Sequence, residues 1–76
     1  MRTVVDIPAT GRNIKARVKS MKLKRTAVAE ELGISEQAVY KWFRGEALPD
    51  IPHLFTLSRL LGCTVDDLIS TQEIDG

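Results

Sequence analysis

Apolar side chains recur every three or four residues between Thr10 and Ser70, which is the period of helices that bury one face. Residues typical of helix ends divide this span into five short helices. The predicted N-terminal caps are Thr10, Ser35, Asp50 and Thr64, and the predicted stops are Gly33, Gly45 and Gly62. The pattern therefore predicts a compact, all-α, five-helix domain with one core.

Each predicted helix contributes one apolar stripe to that core. The first helix runs to about Met21, with Ile14, Val18 and Met21 on its inner face. The inward residues of the next three helices are predicted to be Val28, Ala29 and Leu32, then Val39 and Trp42, and then Leu54, Leu57, Leu60 and Leu61. The fifth helix holds Val65, Leu68 and Ile69.

Two apolar features do not fit these stripes. The segment Thr3–Ile7 is short, β-branched and extended in character, and it either covers the core or pairs with another chain. Phe55 lies about 100° away from the stripe of the fourth helix. Two interpretations stay open for Phe55: it packs under Thr3–Ile7, or it belongs to a subunit interface.

The third predicted helix, Glu36–Arg44, has two opposed faces. One face is apolar and is expected to anchor the helix to the core through Val39, Trp42 and Phe43. The other face offers an amide, a phenol and two cations, on Gln37, Tyr40, Lys41 and Arg44. These side chains follow the i, i+3, i+4, i+7 spacing, so they project together and can enter a DNA major groove.

Length and composition limit the number and the kind of domains that the chain can form. A chain of 76 residues, 43% hydrophobic and 28% charged, is typical of one small globular domain. We divide it into an extended segment 1–9, a helix-turn-helix domain 10–70 and a short acidic tail 71–76.

The residues do not indicate a disulfide-rich, zinc-binding, membrane or secreted protein. The single Cys63 excludes an intrachain disulfide framework and provides no zinc-binding spacing. No apolar run approaches the roughly 18 residues that span a membrane, and the first residues do not form a secretory signal. We expect a cytoplasmic protein with no membrane association, no metal, no cofactor and no evident small-molecule ligand.

The net charge of +1 conceals a strong asymmetry along the chain. Between Gly11 and Ala29 there is no acidic residue, and the cations are Arg12, Lys15, Arg17, Lys19, Lys22, Lys24 and Arg25. From Gly45 onward the only cation is Arg59, and the acids are Glu46, Asp50, Asp66, Asp67, Glu73 and Asp75. A basic front and an acidic back orient a molecule on a polyanion such as DNA, although solvated helix faces are often charge-rich too.

The run from Leu23 to Ser35, followed by Val39, Trp42 and Arg44-Gly45, resembles the Cro/phage-repressor type of helix-turn-helix. This is the lambda-repressor-like, or XRE, family, and the resemblance covers roughly Thr10 to Ser70. It implies a five-helix fold with the helix-turn-helix at helices 2 and 3. It also implies a sequence-specific regulator of transcription, most simply a repressor, that binds double-stranded DNA.

The resemblance assigns roles to individual residues. The base-reading positions are Gln37, Tyr40, Lys41 and Glu36, and the phosphate-contacting positions are Arg25, Lys24, Ser35 and Arg44. Gln37 suits adenine and Lys41 suits guanine. At position 25 this chain has an arginine where the family often has a glutamine. For the anionic Glu36 two roles stay open. It complements the helix dipole, or it discriminates between sequences by accepting a hydrogen bond from cytosine or by repelling wrong sequences.

Further expectations concern the oligomeric state and the class of function. We expect a homodimer, at least on DNA, formed through the fifth helix and tail (Leu68, Ile69, Ile74) or through Thr3–Ile7. No catalytic constellation is evident, so the chain is not expected to be an enzyme. The alternative function is a protein-interaction module, such as an antitoxin-like or phage adaptor that uses the same fold.

Overall fold

The computed structural model describes residues 1–75. In this part of the chain there are five helices: α1 (Ile7–Ser20), α2 (Arg25–Leu32), α3 (Glu36–Phe43), α4 (Ile51–Leu60) and α5 (Val65–Leu68). Two short strands, β1 (Arg2–Val5) and β2 (Thr71–Ile74), lie at the two ends. The predicted five helices, with a helix-turn-helix at α2 and α3, are confirmed. No helix of residues 1–75 is long and apolar enough to cross a membrane.

The first helix begins earlier than its apolar stripe suggested. Its N-terminal cap is Asp6, whose carboxylate accepts a hydrogen bond from the Ala9 amide at 3.0 Å, and Pro8 lies in the first turn. The prediction that Thr10 is the cap is therefore wrong. Thr10 is fully buried inside α1, where its hydroxyl accepts a hydrogen bond from the Ser70 amide at 2.9 Å.

The other predicted caps are confirmed. Ser35 accepts from the Ala38 amide at 3.1 Å, and Asp50 caps α4 in the same way. Thr64 and Asp67 form a reciprocal capping box at the start of α5. Gly33, at the C-terminal end of α2, has a φ of 68°, a left-handed conformation that glycine adopts without steric cost.

The core lies where the helices meet. Its buried members are Ile14, Val18, Val28, Ala29, Val39, Trp42, Leu57, Leu61 and Leu68. The prediction that Met21 joins them is wrong: α1 ends at Ser20, Met21 is 46% exposed, and Leu23 packs against the core instead. Leu68 is fully buried, so it cannot form the dimer surface that we expected of it.

The outlying Phe55 is 58% exposed on α4. The interpretation that it packs under Thr3–Ile7 is therefore wrong. Ile51, one helical turn earlier, is 68% exposed, so the two side chains form a small apolar surface on α4.

The two ends of the chain pair with each other. Strands β1 and β2 are antiparallel, with Thr3 opposite Glu73 and Val5 opposite Thr71. The Thr3 hydroxyl donates to the Glu73 carboxylate at 2.9 Å. The all-α prediction omitted this sheet, because each strand taken alone is too short to be distinguished from an extended terminus.

A glycine lets α1 approach α3 closely. A Cβ on Gly11, which is buried in α1, would collide with the carbonyl oxygen of Trp42 in α3. A Cβ on Gly45, just beyond α3, would lie 2.6 Å from the Cα of Pro8. These contacts fix the position of α3 relative to the rest of the fold.

Candidate nucleic-acid interface

The turn between α2 and α3 is short and well determined by backbone hydrogen bonds. After Gly33 the Ile34 amide donates to the Ala29 carbonyl at 3.0 Å, and the Ile34 side chain packs against the core. Ser35 then begins α3. This arrangement holds α3 across the core and leaves one side of it in solvent.

The two predicted faces of α3 are confirmed. Val39 is fully buried and Trp42 is 5% exposed, so both anchor the helix. Gln37, Tyr40 and Lys41 are exposed on the opposite side. The side chains predicted to read bases therefore share one accessible surface.

Two guanidinium groups lie close to the ring of Tyr40. The Cζ atom of Arg25, from α2, is 4.6 Å from the centre of the Tyr40 ring, and that of Arg44 is 4.7 Å from it. Both distances are within the range of cation–π attraction. The phenol ring thus holds two cations, from different elements, at the surface of α3.

Arg25 also contacts Glu36, with 3.6 Å between its Nε and the Glu36 carboxylate. The two side chains are 43% and 47% exposed, so this is a surface ion pair that joins the first turns of α2 and α3. Together with Gln37 and Tyr40 they line a shallow groove. Glu36 therefore faces the Arg25 cation next to the surface that is predicted to read bases.

Arg44, the C-terminal cap of α3, forms an ion pair with Glu46. Lys24 is exposed at the N-terminal cap of α2. The Ser35 hydroxyl already accepts a helix-capping bond and retains its own proton to donate. The four residues predicted to contact phosphate thus lie at the ends of individual helices: Lys24 and Arg25 at the start of α2, and Ser35 and Arg44 at the two ends of α3.

The structure adds two lysines that we had not assigned to the site. Lys15 and Lys19 of α1 line a groove that also includes Arg25, Tyr40 and Phe43. They belong to the acid-free basic run noted in the sequence. That run was the available signal in the sequence, but only the packing of α1 beside α3 shows which of its cations border α3.

Other candidate chemistry lies outside this surface. Within residues 1–75 no three His, Cys, Asp or Glu side chains are grouped so that they could hold a metal ion. Burial raises the pKa of the Cys63 thiol, which lowers its thiolate fraction at neutral pH. His53 pairs with Asp50 at 2.9 Å and its ring lies 5.9 Å from that of Trp42.

This geometry defines a helix-turn-helix domain, and comparison with known proteins agrees. The helix-turn-helix family model HTH_3 matches residues 14–68, so the chain belongs to this family. The resemblance to Cro/repressor-type proteins that the sequence suggested is confirmed.

Two relatives are regulators. The chain is 36% identical over 59 residues to the repressor protein C2 of Salmonella phage P22, covering 78% of this chain and 27% of that protein. It is 37% identical over 54 residues to the HTH-type transcriptional regulator DicA of Escherichia coli, covering 71% of this chain and 40% of that protein. The chain thus spans less than half the length of each.

Solved structures show the same fold. The P22 c2 repressor in complex with a synthetic operator superimposes with a TM-score of 0.74 at 36% identity, covering 78% of this chain and 89% of that one. The hydroxypropylphosphonic acid epoxidase of S. wedmorenis gives a TM-score of 0.78 at 23% identity, covering 86% of this chain and 35% of that one. The likeness to the epoxidase concerns the fold alone.

Proposed function

We propose that this chain is a sequence-specific double-stranded DNA-binding regulator of transcription, most simply a repressor, that places α3 in the major groove. One observation carries the proposal: Gln37, Tyr40 and Lys41 share the exposed face of a helix whose opposite face is held by Val39 and Trp42. The repressor and regulator names of the relatives support it, and one of them was solved on an operator.

In this proposal Gln37 and Lys41 read base edges. A glutamine amide can both donate to and accept from adenine, and a lysine ammonium donates to the acceptors of guanine. They are four residues apart on α3, so they reach neighbouring base pairs. Tyr40, between them on the same face, contacts a thymine methyl group or a phosphate.

The cations around α3 hold the backbone of the duplex. Arg25 and Arg44 both contact the Tyr40 ring, so their guanidinium groups are partly ordered before DNA arrives. This surface is extended at the start of α2 by Lys24 and along α1 by Lys15 and Lys19, and Ser35 lies at the start of α3. Charge-assisted contacts of this kind supply affinity and fix the register, whereas the bases supply discrimination.

Glu36 serves discrimination in this proposal. Its carboxylate lies at the start of α3 beside Gln37, where it accepts from a cytosine amino group or repels a sequence that offers only acceptors. The contact with Arg25 neutralises part of its charge when no such donor is present. The role of complementing the helix dipole is compatible with this one.

We further propose that the protein acts as a homodimer, since two recognition helices about 34 Å apart match one turn of DNA. Joining two domains in one dimer raises the affinity for a paired site above that of a single domain. Occupying a promoter would then be sufficient for repression.

Selection from a random duplex library at about 0.15 M salt tests the proposal. A Gln37→Ala/Tyr40→Ala/Lys41→Ala triple variant, checked for wild-type helicity, is the control. We expect enrichment of an inverted repeat by the wild type and none by the triple variant. Failure of the wild type to enrich any sequence would refute sequence-specific binding.

A protein-interaction module is the second candidate, and the exposed pair Ile51 and Phe55 on α4 favours it. The dependence of duplex affinity on salt concentration distinguishes the two candidate functions. A DNA reader releases counterions and loses affinity steeply as salt rises, whereas an adaptor binds the duplex weakly at every salt concentration.

A further inference from the structure

The terminal sheet offers an open backbone edge. Within residues 1–75, β1 and β2 pair only with each other, so one edge of each strand has no neighbouring strand. An isolated two-stranded sheet is at best marginally stable in water. An open edge, moreover, presents unpaired amides and carbonyls that another strand can bind.

The register identifies which backbone groups of β1 point outward. The Asp6 amide donates to the Ser70 carbonyl at 2.8 Å, and this pair directly continues the register beyond Val5 and Thr71. Hydrogen-bonded and non-bonded pairs alternate along an antiparallel ladder. It follows that Val4 bonds to β2, whereas Val5 directs its amide and carbonyl to the open edge.

By the same alternation Thr3 faces the open edge of β1, and Glu73, its partner, faces the open edge of β2. The 2.9 Å contact between the Thr3 hydroxyl and the Glu73 carboxylate agrees, because side chains approach most closely at non-bonded pairs.

The two edges differ in chemistry. The outward residues of β1, Thr3 and Val5, are β-branched and uncharged, and the strand contains no acid. The outward residues of β2 include Glu73, and Asp75 follows the strand. Joining two copies through β2 would bring these acids together, which is unfavourable, whereas joining them through β1 would not.

We propose that a second copy of this chain pairs with the open edge of β1 to form a four-stranded antiparallel sheet. With a two-fold axis at Val4, Thr3 of each copy lies opposite Val5 of the other. The two Val4 side chains then meet across the axis, and Arg2 lies opposite Asp6 of the second copy. This register combines β-branched cross-strand pairs with opposite charges, and it satisfies the outward amides of both copies.

The inference develops the homodimer proposed above but does not depend on DNA binding. Its first test is sedimentation equilibrium of the protein without DNA over a wide concentration range, comparing wild type, Thr3→Pro and Glu73→Pro. Both prolines remove the same Thr3–Glu73 side-chain contact and one outward amide, but on opposite edges of the sheet.

We expect Thr3→Pro to raise the dimer dissociation constant at least about tenfold, because it removes two hydrogen bonds per dimer. Glu73→Pro should leave the constant unchanged. A wild type that stays monomeric, or equal effects of the two prolines, would overturn the proposal. Since no DNA is present, this outcome is independent of whether the protein binds a duplex.

Disulfide trapping tests the register. In a Cys63→Ala background, Val4→Cys places one thiol from each copy at the proposed axis. The two Cα atoms of a non-bonded pair are about 4.5 Å apart, and a disulfide can bridge this distance. Val5→Cys, on the other face of β1, is the matched control. Rapid formation of covalent dimer by Val4→Cys alone supports the proposed axis, and faster formation by Val5→Cys would overturn it.

Discussion

The guanidinium of Arg25 in α2 and the carboxylate of Glu36 in α3 lie 3.6 Å apart, and they bridge the first turns of the two helices of the helix-turn-helix. An arginine proposed to hold phosphate is thus already paired with an acid proposed to contact a base. The Glu36 carboxylate therefore offsets part of the positive charge that Arg25 presents at this surface.

The first prediction follows from this pair. Glu36→Gln should tighten binding to non-specific duplex, because it removes a negative charge from the binding surface and frees Arg25. Fold stability should change by less than about 1 kcal/mol, since exposed ion pairs contribute little. Fluorescence anisotropy with operator and scrambled duplexes measures both affinities, and Glu31→Gln is the charge-matched control. A smaller preference for the operator is expected only for Glu36→Gln.

The second prediction separates base contacts from phosphate contacts. Lys41→Ala should cost about 1–3 kcal/mol of binding free energy and relax preference at one base pair. Arg25→Ala should weaken binding to all sequences alike and reduce the salt slope. A panel of single-base operator variants, titrated at several salt concentrations, measures both effects. If both variants weakened binding equally across the whole panel, this division of roles would be wrong.

The third prediction concerns the contact between α1 and α3. Alanine favours a helix interior over glycine by about 0.5–1 kcal/mol. The added Cβ of Gly11→Ala would nevertheless meet the Trp42 carbonyl, a backbone group that cannot move aside. We expect a net loss of about 2 kcal/mol or more in the free energy of unfolding, measured by urea denaturation.

Gly33→Ala provides the comparison, since an added Cβ there would meet no atom within 4 Å and only the φ of +68° opposes the substitution. Its expected cost is about 1 kcal/mol. A Gly11→Ala variant as stable as the wild type would show that α1 does not approach α3 as closely as described.

The fourth prediction is a pH dependence at the start of α5. Hydrogen bonds from the backbone and side chain of Thr64 hold the pKa of Asp67 below its usual value. A depressed pKa contributes stability above the unfolded-state pKa of about 4, and this contribution is lost as pH falls through the lower folded-state value. Asp67→Asn should therefore be less stable than wild type at pH 7.

The difference between wild type and Asp67→Asn should shrink below about pH 4. Thermal unfolding of both proteins at a series of pH values measures it, with Asp66→Asn as the neighbouring control. A difference that stays constant down to strongly acidic pH would contradict the role assigned to the capping carboxylate.

Much of the candidate site could be predicted from the sequence, because it depends on local periodicity. The 3.6-residue period places Gln37, Tyr40 and Lys41 opposite Val39 and Trp42 whatever the rest of the fold does. The caps at Ser35, Asp50 and Thr64 could be predicted for the same reason, since each accepts a hydrogen bond from an amide only three residues away.

Local patterns in the sequence are therefore enough to predict five helices, their approximate ends and the polar face of α3. Packing between distant segments brings together residues that no local pattern connects: Lys15 and Tyr40 line one groove, Thr10 is bonded to Ser70, and β1 pairs with β2. It also exposed Met21 and Phe55 and buried Leu68. Periodicity specifies which way a side chain points from its own helix, but burial depends on what packs there, and that neighbour comes from elsewhere in the chain.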